Sequence, residues 1–176
     1  AKRLGLDVDR DGDTDADDIR RVTPEQAAEL YVRDFFEEPG LGQLPAPLQA
    51  CLFDFAVNAG PARAIMCLQD VLTEVAYAAP DLGLTPIAAD GRIGPKTRAA
   101  AKIAHEAMGP YLVNAVVEAR IAFYRGLAAV CAGHSQTLSM DGGHPQRQAA
   151  ALRSLEAFQT WPSQRQVASG SVSDLQ

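Results

Sequence analysis

Apolar residues in this chain recur at three- and four-residue spacing, and glycines and prolines divide those stretches from one another. Stripes of that period fit helices, and the punctuation keeps the helices short enough to pack together. Thr23-Pro24-Glu25-Gln26 reads as a helix start, with Thr23 as N-cap, Pro24 at the first helical position and Gln26 closing a capping box. Ala27, Leu30, Tyr31, Phe35 and Phe36 continue that helix, and Glu37-Glu38-Pro39-Gly40 ends it. A second helix is predicted over 47–59, with Leu48, Cys51, Leu52 and Phe55 on one face and Gly60 as its stop. A third starts at Pro61 and carries Ile65, Leu68, Val71, Leu72 and Val75. Prolines and glycines break the pattern over 79–94, and Pro95 opens a helix that runs to about Met108. After Gly109-Pro110 the spacing predicts a long helix over 111–132, striped by Leu112, Val116, Ala119, Phe123, Leu127 and Val130. A last helix is expected over 147–160, with Leu152, Leu155 and Phe158, followed by Trp161. No strand alternation and no internal repeat interrupts this series. The fold class is all-α.

A length of 176 residues suits one domain with a core that needs no staples. Residues 23–161 form that helical domain, 1–22 a segment leading into it, and 162–176 a Ser-, Gln- and Gly-rich tail expected to be disordered. No apolar run approaches the roughly 18 residues of a membrane span, and no basic-then-apolar leader opens the chain. Cys51, Cys67 and Cys131 lack paired spacing, which argues against a disulfide framework; Cys51 and Cys67 read as small buried hydrophobes. His105, His134 and His144 lack zinc-ligand spacing.

The net charge of −6 is confined to one place. Residues 7–18 hold seven aspartates and one arginine, whereas the rest of the chain carries 15 acidic and 15 basic residues. A neutral remainder without a basic stripe excludes nucleic acid as a partner. Within 7–18 the order is Asp7-Val8-Asp9-Arg10-Asp11-Gly12-Asp13-Thr14-Asp15-Ala16-Asp17-Asp18. Carboxylates fall at positions 1, 3, 5, 9 and 12 of an EF-hand-type calcium loop, with Gly12 at the sixth, where the chain turns sharply. So many neighbouring carboxylates repel one another unless a cation gathers them. Asp7, Asp9, Asp11, Asp15 and Asp18 are the expected side-chain ligands, with the carbonyl of Asp13 as a further one. Asp18 stands where the usual loop has a bidentate glutamate, as in dockerin-type loops. A single structural calcium ion is expected, one that fixes the turn into the helix at Thr23.

Phe53-Asp54-Phe55-Ala56-Val57-Asn58-Ala59-Gly60 resembles the F-D-x-x-V-N-x-G signature of glycoside hydrolase family 108, the bacterial and phage N-acetylmuramidases. Other pieces follow in the family's order: the helix from Thr23 to Tyr31, Leu44-Pro45, Leu68-Gln69, Asp90-Gly91-Arg92-Ile93-Gly94-Pro95-Lys96-Thr97, and an R-x-x-F-Y at Arg120 to Tyr124. Together they span 23–127. The D-G-x-x-G-x-x-T element also occurs in small peptidoglycan-binding domains. The resemblance implies a lysozyme-like helical domain acting on peptidoglycan, in a phage, prophage or bacterial lytic protein such as an endolysin. Such a protein is made in the cytoplasm, acts as a monomer in the periplasm or cell wall, and cleaves between N-acetylmuramic acid and N-acetylglucosamine.

The family's catalytic glutamate sits in an E-G-G-Y/F motif, and no glutamate of this chain precedes a Gly-Gly. The acid is therefore expected upstream of Ala1, in a truncated or processed enzyme, and the chain by itself is expected to be inactive. The rival reading is a non-catalytic peptidoglycan-binding or assembly module. Candidate substrate-binding residues are Asp54, Asn58, Asp90 and Thr97. Asp54 and Asn58, spaced i, i+4, share one helix face; the resemblance puts that face on the sugar cleft, and the same spacing suits capping or bridging of neighbouring loops. Asp90-Gly91 is also a turn signal and Thr97 lies in the first turn after Pro95, which favours a role in organising that turn. Adjacent Glu37 and Glu38 read as a solvated helix end, and Phe35, Phe36, Phe55 and Phe123 as core.

Overall fold

The computed structural model describes residues 11–12 and 16–131. Asp7, Asp9, Asp13 and Asp15 of the expected calcium loop, the helix expected over 147–160 and the tail over 162–176 lie outside the described residues. The described residues form helices and loops with no strand, in six α-helices: α1 (Ala16–Arg21), α2 (Pro24–Val32), α3 (Ala46–Ala59), α4 (Pro61–Ala78), α5 (Pro95–Met108) and α6 (Pro110–Cys131). A π-helical turn at Arg33–Glu37 prolongs α2, and 3-10 turns at Leu41–Gln43 and Pro80–Leu82 sit in the connections.

The helix boundaries follow from local chemistry. Thr23 caps α2 with both arms of the capping box: Gln26 N–H donates to Thr23 Oγ1 at 3.2 Å, and Thr23 N–H donates to Gln26 Oε1 at 3.0 Å. Gly60 ends α3 at φ +89°, donating to Ala56 O at 2.8 Å, and Pro61 starts α4 at once. A side chain at Gly60 would be strained by that φ alone, so one glycine makes the tight corner between α3 and α4.

Those faces build the core. Leu48, Leu52, Phe55 and Ala56 of α3 pack against Ile65, Leu68, Val71, Leu72 and Val75 of α4, all nearly inaccessible to solvent. Leu112, Ala115, Val116 and Ala119 of α6 close the group, and α5 covers α4 and α6 with Ala100, Ala101, Ala104 and Met108. Cys67 is buried and Cys51 half-buried; Cys51 Sγ donates to Leu48 O at 3.2 Å, and burial pushes its thiol pKa up.

Two expected stripes fall short of the core. α2 contains no buried residue, and Tyr31 is 48% exposed. The α2 stripe meets the core only where the π-turn brings Phe35 and Phe36 against α3, both partly buried there. Phe123 likewise is partly buried, and Leu127 is exposed, so the α6 stripe leaves the core after Tyr124 because α6 outlasts its neighbours. No described helix is long and apolar enough to cross a membrane.

Candidate functional site

The signature helix α3 buries Leu52, Phe55 and Ala56, and its helical period therefore turns Asp54 and Asn58 outward. Their partners come from different places. Asp54 Oδ2 lies 2.5 Å from Nη1 of Arg120 on α6. Asn58 Nδ2 donates to the Asp54 carbonyl at 2.7 Å, within its own helix, so it steadies the α3 surface beside Asp54.

Arg120 is held by more than charge. Its guanidinium lies 5.4 Å from the Phe55 ring centroid and 5.6 Å from that of Tyr124, close enough for cation–π attraction. Arg63 of α4 stands 5.4 Å over Phe123 in the same aromatic cluster, where Phe55 meets Phe123 and Tyr124 at 5.6 and 5.7 Å. Burial works against the Arg120 charge, and the Asp54 carboxylate outweighs it, so the guanidinium pKa is raised. The Asp54 side chain is still 62% exposed. Water therefore screens the pair, whose contribution to stability is modest, and the carboxylate keeps lone pairs for a ligand.

An open groove of about 430 Å³ runs along the same surface between α2 and α3, lined by Ala28, Tyr31, Val32, Phe53, Asp54 and Val57. It exists because α2 lies loosely on α3. The lining is apolar apart from the Asp54 carboxylate and the Tyr31 hydroxyl.

Asp90 and Thr97 gather around a different residue. Gln69, buried on α4, shares the two hydrogens of Nε2 among Asp90 Oδ1 at 2.8 Å, Arg92 O at 3.0 Å and Thr97 Oγ1 at 3.2 Å. Its Oε1 accepts from Gly91 N–H at 2.9 Å, and Asp90 Oδ1 also accepts from Arg92 N–H at 2.9 Å. The Gln69 amide first, and the Arg92 N–H second, hold the Asp90 carboxyl below its ordinary pKa. Gly91 has φ +73°, and a Cβ there would come within 3.1 to 3.3 Å of Ala62 O, Cβ and Cα. Thr73 fixes the start of the same loop, donating to Ile87 O at 2.9 Å and accepting from Ile87 N–H at 3.1 Å. With Thr97 only 4% exposed, this constellation organises the loop before α5. Sequence reading picked Asp90, Gly91 and Thr97 but missed Gln69 as their hub. The L-Q match at Leu68-Gln69 was the available signal. It also passed over Arg120, visible only as the first residue of the R-x-x-F-Y match, and read Tyr31 as part of an ordinary apolar stripe.

Of the aspartate loop, residues 11–12 and 16–18 are described. Gly12 has φ +92°, α1 begins at Ala16, and Asp18 in its first turn is 1% exposed. Among the described residues, no three His, Cys, Asp or Glu side chains gather as a metal-binding group. Every described glutamate is exposed except Glu74, which is half-buried.

Two families divide the chain at the α3–α4 corner. Glycosyl hydrolase 108 matches residues 3–60, and the family described as "Predicted Peptidoglycan domain" matches 63–153. Helices, groove and family matches together define the class: a peptidoglycan-hydrolase-related, all-helical protein. The chain belongs to the family of that peptidoglycan domain, whose match covers more than half of it, and the segment before it is similar to glycosyl hydrolase 108. Among solved structures it is similar to the "Structure of Brucella abortus SagA", at 26% identity and a TM-score of 0.50, covering 82% of this chain and 70% of that one. No curated protein matches it significantly.

Proposed function

We propose that this chain is the glycan-holding part of an N-acetylmuramidase, which hydrolyses the bond between N-acetylmuramic acid and N-acetylglucosamine. The observation that carries this is the Asp54–Arg120 pair. The signature aspartate of the hydrolase segment is held by an arginine of the peptidoglycan domain, so the two family segments present one surface. Glycosidic cleavage needs a carboxyl that protonates the leaving oxygen, and such an acid is desolvated to raise its pKa. The described glutamates lie at or near the surface instead, and in this reading the acid would come from an E-G-G segment outside the described residues. Asp54 and Asn58 would then contact the sugar directly. Asp90 and Thr97 would act on it through the loop that Gln69 holds. The protein would work as a monomer at the cell wall.

Loss of turbidity of cell-wall suspensions, with muropeptides identified by mass spectrometry, tests the assignment. The 176-residue chain should show no turnover. Fusion to an upstream E-G-G segment should give it, and Glu→Gln in that motif should remove it. Muramic reducing ends released by the chain alone, and abolished by changing one of its own carboxylates, would place the acid inside it.

The aspartate loop is proposed to hold one structural calcium ion. Gly12 in the left-handed region, a helix starting straight after Asp15, and a buried Asp18 at the twelfth position all suit such a loop. Asp7, Asp9, Asp11, Asp15 and Asp18, with the Asp13 carbonyl, would be its ligands. Calorimetric titration with calcium should reveal one site that Asp7→Ala with Asp11→Ala removes. Absence of both heat and a calcium-dependent rise in melting temperature counts against it.

A further inference from the structure

We infer that the α2–α3 groove is a saccharide subsite that takes an N-acetylhexosamine ring of the glycan strand, with Tyr31 as its stacking platform and Asp54 as its hydroxyl acceptor. The inference rests on the reading above that the chain holds peptidoglycan, and it says which surface does so and by what chemistry.

The lining fits an amphipathic ligand. A pyranose ring offers apolar C–H faces and a rim of hydroxyl donors, and ligand sites are typically apolar with a few placed polar groups. Here Ala28, Val32, Phe53 and Val57 supply apolar surface, and Tyr31 adds an aromatic ring that is 48% exposed. An acetamido methyl group suits the same aliphatic lining. Asp54 is the one charged group in the groove, and Arg120 already neutralises it from outside the lining. A paired, solvent-facing carboxylate accepts strong hydrogen bonds from hydroxyls. The lining holds one carboxylate, paired to Arg120 from outside it, and no cation, so it offers sugar hydroxyls an acceptor and offers the carboxylates of a stem peptide no counter-ion. All six lining residues fall within the segment matched by glycosyl hydrolase 108, 3–60. Arg120 is a positioning residue: it orients Asp54 and does not line the groove.

Binding of the 176-residue chain would be measured against intact sacculi, peptide-free glycan strands and free stem peptide. The chain should bind sacculi and glycan strands but not stem peptide. Tyr31→Ala and Asp54→Ala should each weaken glycan binding about tenfold, the scale of one stacking or charged hydrogen-bond contact. Tyr31→Phe should keep most of the affinity. Tyr77→Ala, which removes the 73%-exposed tyrosine of α4, should leave it unchanged. Tyr31 is 48% exposed and its ring contact is with the partly buried Phe35, 5.6 Å away, so its alanine variant should still fold, as its melting curve would check. Sacculus binding that survives both Tyr31→Ala and Asp54→Ala overturns the subsite and leaves the peptidoglycan reading standing. Binding that follows the stem peptide overturns it too, as does a concentration-dependent dimer that Tyr31→Ala abolishes. Failure of the wild type to bind sacculi at all overturns the peptidoglycan reading and the subsite together.

Discussion

Gln69 shows how one buried amide can organise a loop that sequence alone reads as a string of separate signals. Its Oε1 accepts from the Gly91 N–H, and its two amide hydrogens are shared among Asp90, the Arg92 carbonyl and Thr97. Gln69→Ala leaves the buried Gly91 N–H without that partner and should cost about 1–3 kcal/mol in denaturant unfolding. Gly91→Ala should also destabilise, by roughly 1–3 kcal/mol, since φ +73° disfavours a side chain and Ala62 backbone atoms block its Cβ. A wild-type unfolding midpoint in either variant would mean the loop is held elsewhere. Asp90 links the same turn to pH. Its carboxyl is held below the ordinary 3.8, so its contribution is complete above that value and is lost as pH falls through the lower folded value. Asp90→Asn keeps an acceptor oxygen but has no charge to lose. Its melting temperature should therefore fall less steeply than the wild type's below about pH 4. Equal slopes would rule the link out.

Elements differ in what holds them. α3 and α4 are fixed by burial, and Phe55 is the largest fully buried side chain where α3 meets α6. Phe55→Ala should destabilise by roughly 3–5 kcal/mol through lost transfer energy and a cavity; the same change would also remove a platform beneath Arg120. A loss below about 1 kcal/mol would mean the surroundings collapse to fill the space. α2 depends instead on its ends. With no buried residue along it, the Thr23 cap is a large share of what defines its start. Thr23→Ala should lower stability by about 1 kcal/mol and increase amide exchange in the first turn of α2. Unchanged exchange there would show that the π-turn alone anchors the helix. The weak seating of α2 also has a function in the proposed scheme, because it leaves the groove beside α3 unfilled.

At the scale of the whole molecule, the division between hydrolase segment and peptidoglycan domain falls at the Gly60 corner, within a single packed core. α3 lies on one side of that division and α4 and α6 on the other, yet their side chains interlock. The proposed glycan-holding surface is therefore not expected to survive separation of the two. Residues 1–60 expressed alone should lose cooperative unfolding by circular dichroism and lose sacculus binding with it. A folded, binding fragment would show that the hydrolase segment has its own core.

Helix positions, their caps and the family signature were legible from local order, because period, proline and glycine act over a few residues. The i, i+4 spacing of Asp54 and Asn58 likewise puts both on one face. What the sequence could not show depended on pairs distant along the chain. Arg120 lies 66 positions beyond Asp54, and the contact between them comes from how α6 crosses α3. Tyr31 carries the same apolar signal as the partly buried Leu30, Phe35 and Phe36 of its stripe, and only the loose packing of α2 leaves it half exposed in a groove. Local chemistry determined the helices; which of their faces met, and which stayed open to a ligand, was decided by long-range packing, where burial of the α3, α4 and α6 faces took precedence over covering α2.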